Sequence, residues 1–315
     1  MSFLRRLDQR ALLLLLLAGL MLLAGSLEGR FFTVANLLNV LRQSSIIGVV
    51  SLGMTVVILT GGIDLSVGSV LALSSLVAAS AAKSGLPAPL AWGCALAAGA
   101  ALGWVNGLFT ARLRLPPFIA TLGMMGLARG LSFIYTGGAP ITGFPPAFRL
   151  PGAGVVAGLP VPAIIFGAAF VAVYALLERC PWGEYVRNTG SNPTAAWGSG
   201  LDVPGTVARA YLLSGLLASL AGLMLTGRLD SAQPGAGVGY EFGAIAAVVL
   251  GGTSFSGGTG TLSGTLLGVL IMGVLENGMN LLNVNPLSEQ LVKGLVIAAA
   301  LAAHGGLGRR GRVEG

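Results

Sequence analysis

Gly61-Gly62-Ile63-Asp64-Leu65-Ser66-Val67-Gly68 sets glycines, a serine and one carboxylate between two long apolar runs. In hydrocarbon every backbone N–H and C=O needs a partner, so non-helical backbone beside a membrane span persists only at a boundary or where protein or a watery cavity surrounds it. The break therefore predicts a polytopic membrane protein with a path through it.

Composition agrees with that reading. Of 315 residues, 54% are hydrophobic and 9% charged, whereas a soluble domain carries about 25% charged residues. Mean hydropathy is +0.85. The net charge of +7 and the pI near 10.1 do not describe a nucleic-acid surface. The basic residues stand singly or in pairs at the ends of apolar segments, which is the pattern that orients membrane spans. Cys94 lies in an apolar run and Cys180 beside a basic loop, without metal-ligand spacing, so both read as inert thiols. His304, the only histidine, ends the last apolar segment and reads as an interfacial side chain.

Hydropathy predicts an all-α chain of about ten segments able to cross ~30 Å of hydrocarbon. They are residues 11–27, 44–60, 65–82, 89–111, 117–135, 160–178, 205–227, 240–253, 261–282 and 288–304. The 240–253 run is short enough for a half-span. Leu12 to Leu17 are six consecutive leucines, which favour insertion by about 3 kcal/mol. This first segment reads as an uncleaved span. Arg5, Arg6 and Arg10 before it and Ala24-Gly25-Ser26 after it keep a cleaved signal peptide as the alternative.

The Lys/Arg bias places both termini in the cytoplasm. The inner pieces then collect Arg5, Arg6, Arg10, Arg112, Arg114, Arg179, Arg187, Arg209, Arg309, Arg310 and Arg312, against Arg30, Arg42, Lys83, Arg149 and Arg228 outside. Two connecting stretches exceed a turn: 136–159 outside and 179–204 inside. Residues 53–68 also align with 243–258, pairing Gly61-Gly62 with Gly251-Gly252 and Ser66 with Ser256. A remnant duplication and a chance match of glycine-rich helices both fit this alignment.

Several blocks together resemble the ribose-type permeases of ATP-binding-cassette sugar importers. They are Gly62-Ile63-Asp64-Leu65-Ser66-Val67-Gly68, Asn106-Gly107-Leu108 with Pro117-Phe118-Ile119-Ala120-Thr121-Leu122-Gly123, and Ala244-Ile245-Ala246-Ala247-Val248-Val249-Leu250-Gly251-Gly252-Thr253-Ser254. Asn277-Gly278-Met279-Asn280 and Val292-Lys293-Gly294-Leu295 close the match, which spans nearly the whole chain. Permeases for branched-chain amino acids share the superfamily without the Ile-Asp-Leu-Ser-Val-Gly block, so a simple sugar is the substrate class implied. The resemblance further implies a multi-pass bacterial inner-membrane protein. A second permease copy or sister permease, two ATPase subunits and a periplasmic or lipid-anchored sugar-binding protein would complete the assembly. The chain itself carries no Gly-x-x-x-x-Gly-Lys-Ser/Thr phosphate loop, so ATP and Mg²⁺ belong to the partner and no cofactor or metal is expected here.

By the same resemblance, the inner loop is a coupling segment for the ATPase, through Arg187, Asn192, Pro193, Thr194, Ala195, Ala196, Trp197 and Gly200. A short helix starting near Pro193 with Asn192 as N-cap would present small residues to a partner groove. The family pattern Glu-Ala-Ala-Arg before Ser-Gly is replaced by Thr194-Ala195-Ala196-Trp197, with Gly198 inserted. Trp197 then reads either as an apolar docking anchor or as a headgroup-level side chain.

Asp64 has two roles open to it: a cap for the helix beginning near Ser66, which is the favoured one, or direct hydrogen bonding to sugar hydroxyls. The translocation-path candidates are Asp64, Ser66, Asn106, Thr121, Thr253, Ser254, Asn277 and Asn280, although such residues also bond neighbouring helices. Arg129 and Glu241, in or near apolar runs, each need a partner. A membrane enzyme is excluded for want of a catalytic constellation around a single histidine. An ion-coupled transporter using Asp64 and Glu241, and an importer of nucleosides or branched-chain amino acids, are the remaining alternatives.

Overall fold

The structure is a computed structural model and describes residues 9–285, 288–289, 291–296 and 298. Seven helices are long and apolar enough to cross a membrane: α1 (Gln9–Leu27), α2 (Val34–Leu59), α4 (Ala88–Ala111), α5 (Pro117–Thr136), α7 (Val161–Glu178), α10 (Val203–Leu229) and α12 (Leu262–Leu281). Two shorter apolar helices, α3 (Val67–Lys83) and α11 (Tyr240–Leu250), lie among them. Of the ten expected segments, seven are thus full-length helices, and 65–82 and 240–253 form these two shorter ones. Positions 288–289, 291–296 and 298 of the tenth are helical. The rest of that segment, His304, Arg5, Arg6, Arg309, Arg310 and Arg312 lie outside the described residues.

Helix ends follow local chemistry. Thr33 caps α2 by accepting from the Asn36 amide at 3.4 Å, and Asp202 caps α10 by accepting from Gly205 at 2.9 Å. Proline opens α4, α5, α7 and α10 within their first two positions, where its missing N–H costs nothing.

Burial separates centre from periphery. In their most apolar stretches, 83% of α2 and 78% of α10 are buried, against 22% of α4 and 11% of α1. The outer helices therefore face lipid with one side. The tightest contact is between α4 and α10. Gly99, Gly103 and Gly107 recur every four residues on α4, and a Cβ on them would stand 2.5, 2.2 and 2.6 Å from atoms of Gly215, Tyr211 and Ala208. Such small-residue stripes let backbones approach where no hydrophobic drive exists between lipid-like helices. The leading helix α1 packs Leu17, Leu20, Met21 and Ala24 beside Val274 and Leu281 of α12.

The two long connections occupy opposite ends. Residues 137–160 form α6 (Pro146–Ala153) and the strands β1 (Ile141–Thr142), β2 (Val155–Val156) and β3 (Leu159–Pro160). Strand β1 pairs antiparallel with β4 (Ser231–Ala232) beyond the end of α10, and β2 pairs with β3. Lys83 donates to the Gly143 carbonyl at 2.9 Å, and Arg149 pairs with Asp230 at 3.3 Å, which fastens this cap to the ends of α3 and α10. At the other end, α8 (Pro181–Ser191) and α9 (Pro193–Gly198) follow α7.

Candidate functional site

The first chain break, residues 60–66, turns back into the bundle after α2. Gly61 adopts φ +81° at the turn, a left-handed conformation natural to glycine. Asp64 is 1% exposed. Its Oδ1 accepts from the Ser66 amide at 3.0 Å and the Ser66 hydroxyl at 2.6 Å, and its Oδ2 accepts from the Ser214 hydroxyl at 2.8 Å. Asn106 donates to the Ser66 hydroxyl at 2.8 Å, while Tyr211 and Thr121 donate to the Ile63 carbonyl at 3.1 and 3.2 Å. One short segment thus joins α3, α4, α5 and α10. The Asp64 bond to the amide two residues on is an Asx turn leading into α3, one step ahead of the first-turn cap expected from the sequence.

The second break, residues 251–261, lies against the first. The Gly258 amide donates to the Leu59 carbonyl at 2.9 Å, supplying a partner for the end of α2. Gly190, next to last in α8, closes the contact. A Cβ there would stand 1.9 Å from the Leu59 oxygen and 2.6 Å from the Gly258 nitrogen. Helix α9 begins three residues later, capped by Asn192, whose side-chain oxygen accepts from the Ala195 amide at 3.0 Å. Ala196 faces inward. Thr194, Ala195 and Gly200 are exposed, and Trp197 is 72% exposed. Arg187 points back, donating to the Leu177 carbonyl at 3.0 Å and pairing with Glu178, so it ties α8 to α7.

A third irregular segment, 230–239, enters from the opposite end. Arg129 on α5 holds it by donating to the carbonyls of Pro234 and Ala236, each at 2.7 Å. It crosses the start of α3 backbone to backbone: a Cβ on Gly68 would meet the Gly237 oxygen at 2.1 Å. The N-termini of α3 and α11 therefore meet inside the bundle, each with the positive end of its dipole. Glu241, in the first turn of α11 and 7% exposed, accepts from the Gly239 amide at 3.2 Å. Arg129 and Glu241 share this cluster without a direct ion pair among the described residues.

Beside this crossing is a cavity of about 520 Å³ between α2, α11, α12 and the residues Glu289, Lys293 and Gly294. Its polar lining comes from Gln43, Arg228, Tyr240, Glu241, Glu276, Glu289 and Lys293. Lys293 pairs with Glu276 at 2.7 Å, and Gln43 donates to the same carboxylate at 3.4 Å.

The expected path residues are distributed over three places. Asp64, Ser66, Asn106 and Thr121 form the buried network described above. Thr253, fully buried with its hydroxyl unpartnered, and Ser254, which accepts from the Ser256 amide at 3.3 Å, belong to the second break. Asn277 exchanges two 2.9 Å bonds with Asn36, and Asn280 donates to the Glu276 carbonyl at 2.9 Å, both near the far end of α12. None of the eight lines the cavity. In the sequence Arg228 reads only as an orienting charge and Lys293 only as part of a family block, and neither Glu276 nor Glu289 is singled out. Glu276, a carboxylate inside an apolar run beside two asparagines, carries the same signal as Glu241.

Interrupted helices whose N-termini converge within a bundle are a feature of transporters. The family model described as the permease component of branched-chain amino acid transport systems matches residues 36–301, and the chain belongs to this family. It is 47% identical over 298 residues to the ribose import permease protein RbsC of Escherichia coli (strain K12), covering 93% of this chain and 92% of that protein. It is 49% identical over 284 residues to RbsC of Bacillus subtilis (strain 168), covering 90% and 88%. The fructose import permease protein FrcC of Rhizobium meliloti is 36% identical over 303 residues, covering 92% and 83%. No solved structure matches.

Proposed function

We propose that the chain is the membrane-spanning subunit of an ATP-driven importer for a simple sugar in the bacterial inner membrane. The relatives named for ribose and fructose import support the substrate class. In this reading the α8–α9 end faces the cytoplasm together with both termini, and about ten segments cross or enter the bilayer. The 137–160 cap faces outward, toward a sugar-binding protein. A second permease and two ATPase subunits, which bind ATP and Mg²⁺, complete the machine. Residues Thr194 to Gly200 form the surface an ATPase would grip.

The observation that carries this reading is the meeting of Leu59, Gly190 and Gly258. An exposed, capped helix that starts three residues after Gly190 stands directly on both chain breaks at that end. A pull on α9 acts on α2, α11 and α12 together, which is what conversion of nucleotide-driven closure into a path change requires.

The test is sugar-dependent ATP hydrolysis and uptake in lipid vesicles, comparing the chain alone with the chain plus its ATPase and binding protein. Activity only in the complete set, lost when residues 192–194 are deleted, is the expected result. Uptake by the chain alone under a proton or sodium gradient would instead make it an ion-coupled transporter.

A further inference from the structure

We infer that the cavity between α2, α11 and α12 is a transit site for a neutral, polyhydroxylated solute, contacted by Glu241, Arg228 and Tyr240. The inference rests on the importer reading and names where the sugar passes. Its ground is a set of polar groups that the fold builds but does not use up. The Glu241 carboxylate takes the Gly239 amide at Oε1 and bonds its own backbone amide, and it lines the cavity. The Arg228 guanidinium and the Tyr240 hydroxyl make no hydrogen bond or ion pair among the described residues, yet neither is sealed from the cavity. Tyr240, Arg228 and Glu276 line the same cavity.

The Asp64 carboxylate, by contrast, is taken up by the Ser66 amide and by the Ser66 and Ser214 hydroxyls. Accessible, unpaired charge such as that of Arg228, beside the crossing of two helix N-termini, is costly in a membrane protein without a purpose. The chemistry fits hydroxyls. Each sugar hydroxyl both donates and accepts, so one molecule can give hydrogens to the remaining lone pairs of the Glu241 carboxylate and take them from Arg228 and Tyr240. Carboxylates and cations occur together in the lining, which favours a solute of no net charge. The Tyr240 and Phe242 rings supply apolar faces beside them. A volume of about 520 Å³ is in the range of small-molecule sites, about 300–1,000 Å³.

The test uses the complete assembly in lipid vesicles, with ATPase and binding protein, and radiolabelled D-ribose as probe. Four variants are compared with wild type: Glu241→Gln, Arg228→Gln, Tyr240→Phe and Val238→Trp. Val238 lines the cavity without a polar atom of its own, so a tryptophan there fills the space. Uptake per ATP hydrolysed should fall about tenfold in the Glu241 and Arg228 variants, the loss expected for one charge-assisted hydrogen bond. It should fall several-fold in Tyr240→Phe, which removes a single accessible oxygen and leaves the fold intact, and it should be lowest in Val238→Trp. Hydrolysis stimulated by the binding protein should stay near the wild-type rate. No ribose uptake by the wild-type assembly would remove the importer reading and the site with it. Wild-type uptake with unchanged uptake per ATP in all four variants would overturn the site alone. So would a parallel fall of uptake and hydrolysis, the signature of a merely structural role.

Discussion

The Gly258 amide donates to the Leu59 carbonyl at 2.9 Å, so two breaks nearly two hundred positions apart in the chain share one backbone hydrogen bond. Gly190 sits over that bond with no room for a side chain. The end of α2, the start of α12 and the entry to α9 consequently form one mechanical junction.

Gly190→Ala should break this junction. The atoms a methyl group would meet are backbone and cannot swing aside, and overpacking of this kind costs about 1–3 kcal/mol. Thermal unfolding of the solubilised protein should show a lowered midpoint. Gly198→Ala, where nothing lies within 4 Å, should leave it unchanged.

Asp64→Asn separates a structural carboxylate from a proton carrier. The amide oxygen can keep the Ser66 bonds, and the amide group can donate to the Ser214 hydroxyl, so transport should survive with about 1 kcal/mol lost in stability. Asp64→Ala strands two hydroxyls and an amide and should cost about 3 kcal/mol or more. Uptake by Asp64→Asn vesicles is the measurement, and complete loss of transport in a well-folded protein would count against the structural role.

Arg129→Gln should loosen the re-entrant segment. It gives up two 2.7 Å bonds to Pro234 and Ala236, each a charge-assisted contact worth about 1.5–3 kcal/mol. Hydrogen exchange of the amides at 235–239 should accelerate by at least about tenfold. Arg129→Lys should restore part of the protection, since an ammonium still donates but without the guanidinium's preset geometry.

Trp197→Ala tests the docking surface. Its side chain is 72% exposed, so the fold should lose little, while an anchor role predicts a loss of about 2 kcal/mol in ATPase affinity, roughly 30-fold. Titration of the ATPase onto vesicle-embedded permease reads this directly. Unchanged affinity would leave Trp197 as a headgroup-level side chain.

The spans were legible because apolar length is a local property. The 61–68 block announced a break, Asn192-Pro193 announced a capped helix, and 240–253 announced a short one. What the sequence did not show was which breaks meet, because Leu59, Gly190 and Gly258 become neighbours only through helix packing. The network around Asp64 was half visible. Ser66, Asn106 and Thr121 were named as polar residues inside apolar helices, but Ser214 and Tyr211 looked like ordinary helix residues. The cavity was least visible. Arg228 and Lys293 fall near helix ends, where positive charge usually marks a lipid interface, and only the fold turns them toward Tyr240 and Glu276.

The shortness of α11 also bears on how the chain is made. Eleven residues rise about 16 Å, roughly half the hydrocarbon thickness, and the segment leading into it depends on Arg129 for its carbonyl partners. Such a stretch has little capacity to lodge in a bilayer unaided. Its place is set by α2 and α12, which flank it, and since α12 follows it in the chain, α11 should settle fully only once α12 has been made.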